Sequence, residues 1–155
     1  MVVINKLKNK HPDYYEGILQ LRDCPDKVID WVRKTVAKDK RARISKDKKV
    51  RGGRDLYFSD QHYLQRIGKK LKETFPGILK KSSKLFTVSR VSGKEVHRVN
   101  VMFRSLPVKV GKFFDYLGEE VKIVKVDKMV TLLSKDGRRF VVKLDVFLHN
   151  LRSAL

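Results

Sequence analysis

Apolar and polar positions alternate near the start of the chain. Tyr15, Leu19 and Leu21 fall on one side with Gly17, and Glu16, Gln20 and Arg22 fall on the other. A period of two predicts a half-buried strand. The pattern then lengthens. Pro25 stands where a helix can begin without losing a needed donor, Asp26 follows in the first turn, and Val28, Val32 and Val36 recur every fourth position as a buried stripe. Asp55-Leu-Tyr-Phe58 is short and aromatic and predicts a second strand, with Ser59 as the N-cap of a second helix. Leu64, Ile67, Leu71 and Phe75 mark that helix's buried face, Gly68 is a close-packing position, and Pro76-Gly77 ends it. Leu85–Val88 and Val96–Phe103 read as strands joined across Ser92-Gly93, a hairpin signal. Val99, Val101 and Phe103 lie on one face of the second of these, opposite Arg98, Asn100, Met102 and Arg104. The order β-α-β-α-β-β implies an α+β fold, a two-helix sandwich with both helices on one face of a mixed or mainly antiparallel sheet.

The pattern changes near Ser105–Pro107. Val108–Val110, Val121–Val126, Met129–Leu133 and Phe140–Leu144 read as short strands, with a tight turn at Asp136-Gly137 and a closing helical turn at Phe147, Leu148 and Leu151. So many short strands in one small segment suggest an SH3-like or OB-like β-barrel. Such a small core gains little stability alone, so packing against the first domain or a partner is expected. The sequence therefore divides into an α+β domain, 1–105, and a small β-barrel, 106–155.

Charge sharpens this division. The chain of 155 residues carries 37 Lys and Arg against 17 Asp and Glu, a net charge of +20. Residues 106–155 hold ten basic and six acidic residues, leaving +16 for residues 1–105. That much unbalanced charge opposes folding, and a polyanion explains it best, nucleic acid before an acidic protein or membrane surface. The densest run is 41–54, where Arg41, Arg43, Lys46, Lys48, Lys49, Arg51 and Arg54 face only Asp47. Lying between a helix and a strand, it reads as a mobile basic loop able to order against folded RNA. Lys69, Lys70 and Lys72 on the second helix, and Lys80, Lys81 and Lys84 around Ser82-Ser83, extend the candidate surface. Lysine and arginine supply phosphate contacts, and arginine adds a plane that stacks on bases. The plain alternative for the helix lysines is a solvated face.

Other chemistry is poorly supported. One cysteine, Cys24, makes neither a disulfide framework nor a thiolate zinc site. It precedes a helix, where a thiolate could be favoured, yet no base lies nearby and an inert thiol is the expectation. His11, His62, His97 and His149 lack metal-ligand spacing, and Asp115, Glu119 and Glu120 have no defensible catalytic partner. Gly52-Gly53 is too short for a phosphate loop and reads as a turn or loop tip. No charge-free stretch approaches the about 20 apolar residues of a membrane span, and Asn5, Lys6, Lys8 and Lys10 interrupt any apolar leader. The expectation is a soluble, intracellular protein that is not an enzyme and needs no metal or cofactor. Tyr14, Tyr57, Phe58 and Phe103 could stack on unpaired bases, but alternation buries most of these rings, so shape and phosphate recognition are expected.

Tyr14-Tyr-Glu-Gly-Ile-Leu-Gln-Leu-Arg22, Pro25 with the valine-striped helix, Arg51-Gly-Gly-Arg-Asp-Leu-Tyr-Phe-Ser59 and Lys80-Lys-Ser-Ser-Lys-Leu85 together resemble the middle of the NMD-three family. The resemblance spans roughly residues 13–145, and the lysine-rich, compact form looks archaeal. Family members bind large ribosomal subunits, and in eukaryotes they act as nuclear export adaptors. Their two middle domains resemble large-subunit protein L-twenty-two and translation factor five-A. The resemblance implies contact with ribosomal RNA near the tRNA exit region and the stalk carrying protein L-one, and company with anti-association factor six. Two features are not carried over. Cys24 alone supplies no cysteine-rich zinc module, and Lys135-Asp-Gly-Arg138 is an ordinary hairpin turn rather than a hypusine-bearing loop.

The expected function is ribosomal-RNA binding on the large subunit, in assembly or quality control, by a cytoplasmic protein that is monomeric when free. The alternatives are a constitutive ribosomal protein, an RNA-processing or RNA-modifying enzyme, and an adaptor whose basic face meets an acidic protein.

Overall fold

In the computed structural model, which describes residues 12–88, 93 and 95–154, the chain divides into two units, Met1–Ser105 and Leu106–Leu155. Asn5, Lys6, Lys8, Lys10 and His11, and Ser92 of the expected hairpin turn, lie outside the described residues.

The first unit runs β1 (Gly17–Arg22), α1 (Asp26–Lys38), β2 (Ile44–Val50), β3 (Gly53–Phe58), α2 (Gln61–Thr74), β4 (Gly77–Val88) and β5 (Glu95–Ser105). Its sheet has the order β2-β3-β1-β5-β4. β1 is parallel to β5, and every other neighbouring pair is antiparallel. The alternation read from the sequence selects one face for burial. Leu19 and Leu21, Leu56 and Phe58, and Val99, Val101 and Phe103 form one core with Val28, Ile29, Val32 and Val36 of α1 and Leu64, Ile67 and Leu71 of α2. Both helices therefore lie on the same face, and each fully buried aliphatic side chain contributes about 1.5–3 kcal/mol. At Gly68 α2 packs tightly on β5, since an added Cβ would sit 3.0 Å from Val101 Cγ1.

Several expectations are corrected. The basic segment 41–54 is not a loop but mostly a β-hairpin, β2 and β3 joined by Arg51-Gly52. Gly52 takes the positive φ of +81° that the turn needs. Gly53 is small because β3 passes directly over the Leu21 carbonyl of β1, which settles the glycine pair as a packed turn rather than a flexible tip. β4 begins at Gly77, so Lys80, Lys81 and Lys84 stand on a strand. The N-cap of α2 is Asp60, whose carboxylate accepts from the Tyr63 N–H at 2.9 Å. Ser59 is instead buried, its Oγ accepting from the Arg43 N–H at 3.0 Å. Pro25 occupies the N-cap of α1, one position before the first helical residue. Tyr15 precedes β1 and crosses to the face away from the helices, where it meets Tyr57 and Arg98.

The second unit comprises β6 (Phe113–Tyr116), β7 (Glu119–Val126), β8 (Met129–Ser134), β9 (Arg139–Lys143) and α3 (Leu144–Ala154). The strands pair antiparallel in sequence order, leaving β6 and β9 at opposite edges. No closed barrel forms among the described residues. α3 follows β9 directly, and its buried Phe147 lies against the rings of Phe114 and Tyr116 at the other edge, so a helix rather than strand closure covers the apolar side chains. Val108–Val110 is not a strand, because a turn at Val110-Gly111, with Gly111 at φ +84°, intervenes before β6 begins. At Asp136-Gly137 the expected turn closes β8 onto β9, with the Ser134 N–H donating to the Arg138 carbonyl at 2.9 Å.

Candidate nucleic-acid interface

Pleating divides the cations of the first unit between two faces. Strand side chains alternate, and Leu56, Val101 and Leu79 fix which set faces the helices. The opposite set comprises Lys46 and Lys48 on β2, Tyr57 and Asp55 on β3, Ile18, Gln20 and Arg22 on β1, Arg98, Asn100, Met102 and Arg104 on β5, and Lys80, Ser82 and Lys84 on β4. Neither helix of the unit packs on this open face. The register aligns its side chains in rows across the sheet. Lys48, Asp55, Gln20, Met102 and Lys80 make one row; Lys46, Tyr57, Ile18, Asn100 and Ser82 make the next. With strands about 4.8 Å apart, the lysines of the two edge strands stand about 19 Å from each other. Between them the central strands carry the neutral Gln20, Tyr57 and Asn100, the apolar Ile18 and Met102, and the charged Asp55, Arg22, Arg98 and Arg104.

The predicted contact residues therefore separate by their surroundings. Lys46, Lys48, Lys80 and Lys84 are exposed on the open face, and no carboxylate pairs with them among the described residues. Arg54 is on the helix face, where its Nε donates to Asp47 at 2.8 Å, while Arg33 of α1 donates to the same carboxylate at 2.6 Å. Burial opposes ionisation of Asp47, but these guanidinium bonds outweigh it and hold its carboxyl below the ordinary range. Arg41 is bound to Asp39 at 2.7 Å, and its side-chain and backbone donors hold that carboxyl at about 2. Lys81 donates to Gln65 of α2 at 2.8 Å. Lys49 shares the helix side with Arg54, Lys69 and Lys70 are exposed on α2, Arg51 is in the hairpin turn, and Arg43 is half-buried beside Ser59. The candidates thus form no single patch.

The open face also carries residues that the charge runs did not single out. Arg22 pairs with Asp55 at 2.8 Å, and Arg104 lies 3.8 Å from Asp23. Arg98 has aromatic neighbours instead. Its guanidinium carbon is 3.9 Å from the ring centre of Tyr15 and 3.4 Å from that of Phe86, and its Nη1 donates to the Tyr15 hydroxyl at 3.0 Å. Tyr15 and Tyr57 meet edge to face at 4.8 Å, and Lys46 lies 5.5 Å above the Tyr57 ring. Of the rings weighed as base-stacking candidates, Phe58 and Phe103 are wholly buried and Tyr57 is on the open face. The signal for this face was the polar half of the β1 and β5 alternation.

Burial pushes the Cys24 thiol up despite the hydrogen bond it accepts from Ser105. Among the described residues no group of three or more His, Cys, Asp or Glu could hold a metal ion, and no helix is long and apolar enough to cross a membrane.

The fold and this surface define a small mixed α+β unit with a cationic open sheet. Residues 14–104, more than half of the chain and nearly all of this unit, match the family model described as NMD3, second domain. The chain belongs to the NMD3 family, a ribosome-related family. No curated protein matches it.

Proposed function

We propose that the chain is a non-enzymatic RNA-binding protein of the large ribosomal subunit, acting in subunit assembly or quality control. The observation that carries this reading is the open sheet face, where edge lysines with no carboxylate partner among the described residues flank a centre bearing Gln20, Asn100 and Tyr57 together with Arg22, Arg98 and Arg104. Such a face suits a phosphate backbone whose register is set by cations and whose interior is met by neutral polar groups. Family membership supports the ribosome as the source of the RNA. In the same reading the protein is a compact, archaeal-type member and is cytoplasmic and monomeric when free. The first unit is L-twenty-two-like and the second is five-A-like, directed to the tRNA exit region and the L-one stalk beside anti-association factor six. The phosphate contacts are Lys46, Lys48, Lys80 and Lys84 foremost, with Arg41, Arg43, Lys49, Arg51, Arg54, Lys69, Lys70 and Lys81 around them.

Co-sedimentation of the full chain with separated ribosomal subunits, followed by crosslink mapping, tests the proposal. Binding is expected to the large subunit, with crosslinks on its RNA. Equal binding to both subunits would remove the ribosomal assignment. Polysome profiles then separate an assembly factor, absent from translating ribosomes, from a constitutive component.

A further inference from the structure

We propose that the open face of the sheet takes an unpaired RNA base, stacked on the ring of Phe86, so that this unit recognises single-stranded rather than duplex RNA. The inference rests on the RNA-binding reading above and adds the kind of RNA. Phe86 stands at a register shift, where β4 has one residue more than β5 between the pairs Leu85–His97 and Thr87–Val96. Such bulges re-aim a side chain out of the regular pleat. The ring is 53% exposed, although the unit has an apolar core available.

What surrounds the ring gives it a chemistry. Arg98 lies between Phe86 and Tyr15, held from both sides and fixed further by its bond to the Tyr15 hydroxyl. This order lowers the entropy to be lost when a planar ligand extends the stack. Lys84 is the cross-strand partner of Arg98, so a phosphate-binding group adjoins the exposed ring. A base offers a π-face for Phe86 and a phosphate for Lys84 at the same time. Duplex RNA keeps its bases stacked inward and leaves the ring unused. An acidic peptide would satisfy the lysines alone.

The test is fluorescence anisotropy of the full chain with a labelled single-stranded oligoribonucleotide and with a duplex of equal length, over a range of salt. Phe86→Ala should weaken single-strand binding by about 5- to 150-fold. It should leave duplex binding and the salt dependence unchanged, because the ring is uncharged, and melts check that the loss of its contact with Arg98 leaves the chain folded at the assay temperature. Phe86→Trp should retain binding and add an indole signal quenched by the single strand beyond that of Trp31 in the parent chain. Single-strand affinity unchanged in Phe86→Ala overturns the stacking proposal and leaves the RNA-binding reading standing. No binding of either RNA by the parent chain at low salt overturns both.

Discussion

Replacing Lys46, Lys48, Lys80 and Lys84 together by Gln separates the open face from the rest of the basic surface. These four lysines are exposed and have no carboxylate partner among the described residues. Each phosphate contact on a single strand contributes about 0.7 to the slope of log affinity against log salt, so losing four should lower the slope by about 3. Between about 50 and 200 mM salt the quadruple variant should therefore lose about 50-fold less affinity than the parent chain does. A control variant, Arg41→Gln with Arg54→Gln, removes two cations already bound to Asp39 and Asp47. Its slope should change by less than about 1, since a guanidinium already offset by a carboxylate is at most a peripheral contact and displaces few counterions from the RNA backbone. Anisotropy titrations of a ribosomal-RNA fragment at several salt concentrations measure both slopes. Exposed lysine substitutions change stability by only about 0.5 kcal/mol each, and circular dichroism melts check that the fold is intact. A slope that falls more in the arginine pair than in the lysine set would refute the assignment of phosphate contacts to the open face.

Three further outcomes probe the scaffold. Gly17→Ala places a Cβ against Leu64 Cδ2 and the Val99 carbonyl; the overpacking should cost about 1–3 kcal/mol and lower the melting temperature by about 5–20 °C, and an unchanged melt would show that β1 and α2 can yield. Asp60→Ala should cost about 1 kcal/mol by chemical denaturation while Asp60→Asn retains most of the cap, because the Tyr63 N–H needs only an oxygen acceptor. Asp39 titrates at about 2, below its ordinary value of about 3.9, so the stability from its ionised form is in place above about pH 4 and is lost as pH falls through about 2. Arg41→Gln should raise that titration point, as followed by carboxyl-carbon NMR, and no movement would mean the guanidinium is not its cause.

The elements legible in the sequence are those with one face in the core. β1 and β5 alternate because Leu19, Leu21, Val99, Val101 and Phe103 are buried while their neighbours are not, and α1 and α2 show apolar spacing because each turns one stripe toward the same sheet. Ser59 and Asp60 are both good caps by type, and the choice between them depended on Arg43, which the fold brings to Ser59 from the segment before β2. In the second unit the strands were readable individually. Their failure to close was not, since closure depends on whether α3 or a further strand covers Phe114 and Tyr116.

The illegible elements share one physical property. β2 and β4 are the two edge strands of the larger sheet, and both faces are polar over most of β2 and over Lys80–Lys84 of β4. On β2, Lys46 and Lys48 occupy the open face while Asp47 and Lys49 lie on the helix side beyond the core, where Asp47 is met by Arg33. No period of two in hydrophobicity can arise there, so the segment reads as a charged loop although its backbone pairs with β3 from Lys46 to Val50. Lysines on an edge also oppose pairing with another chain, which makes edge strands the places where a sheet tolerates unbalanced charge best. The residues with the strongest claim to phosphate contact therefore lie where the hydrophobic pattern is weakest. Charge could point to the segment, but only the pairing register could say which of its lysines share a face.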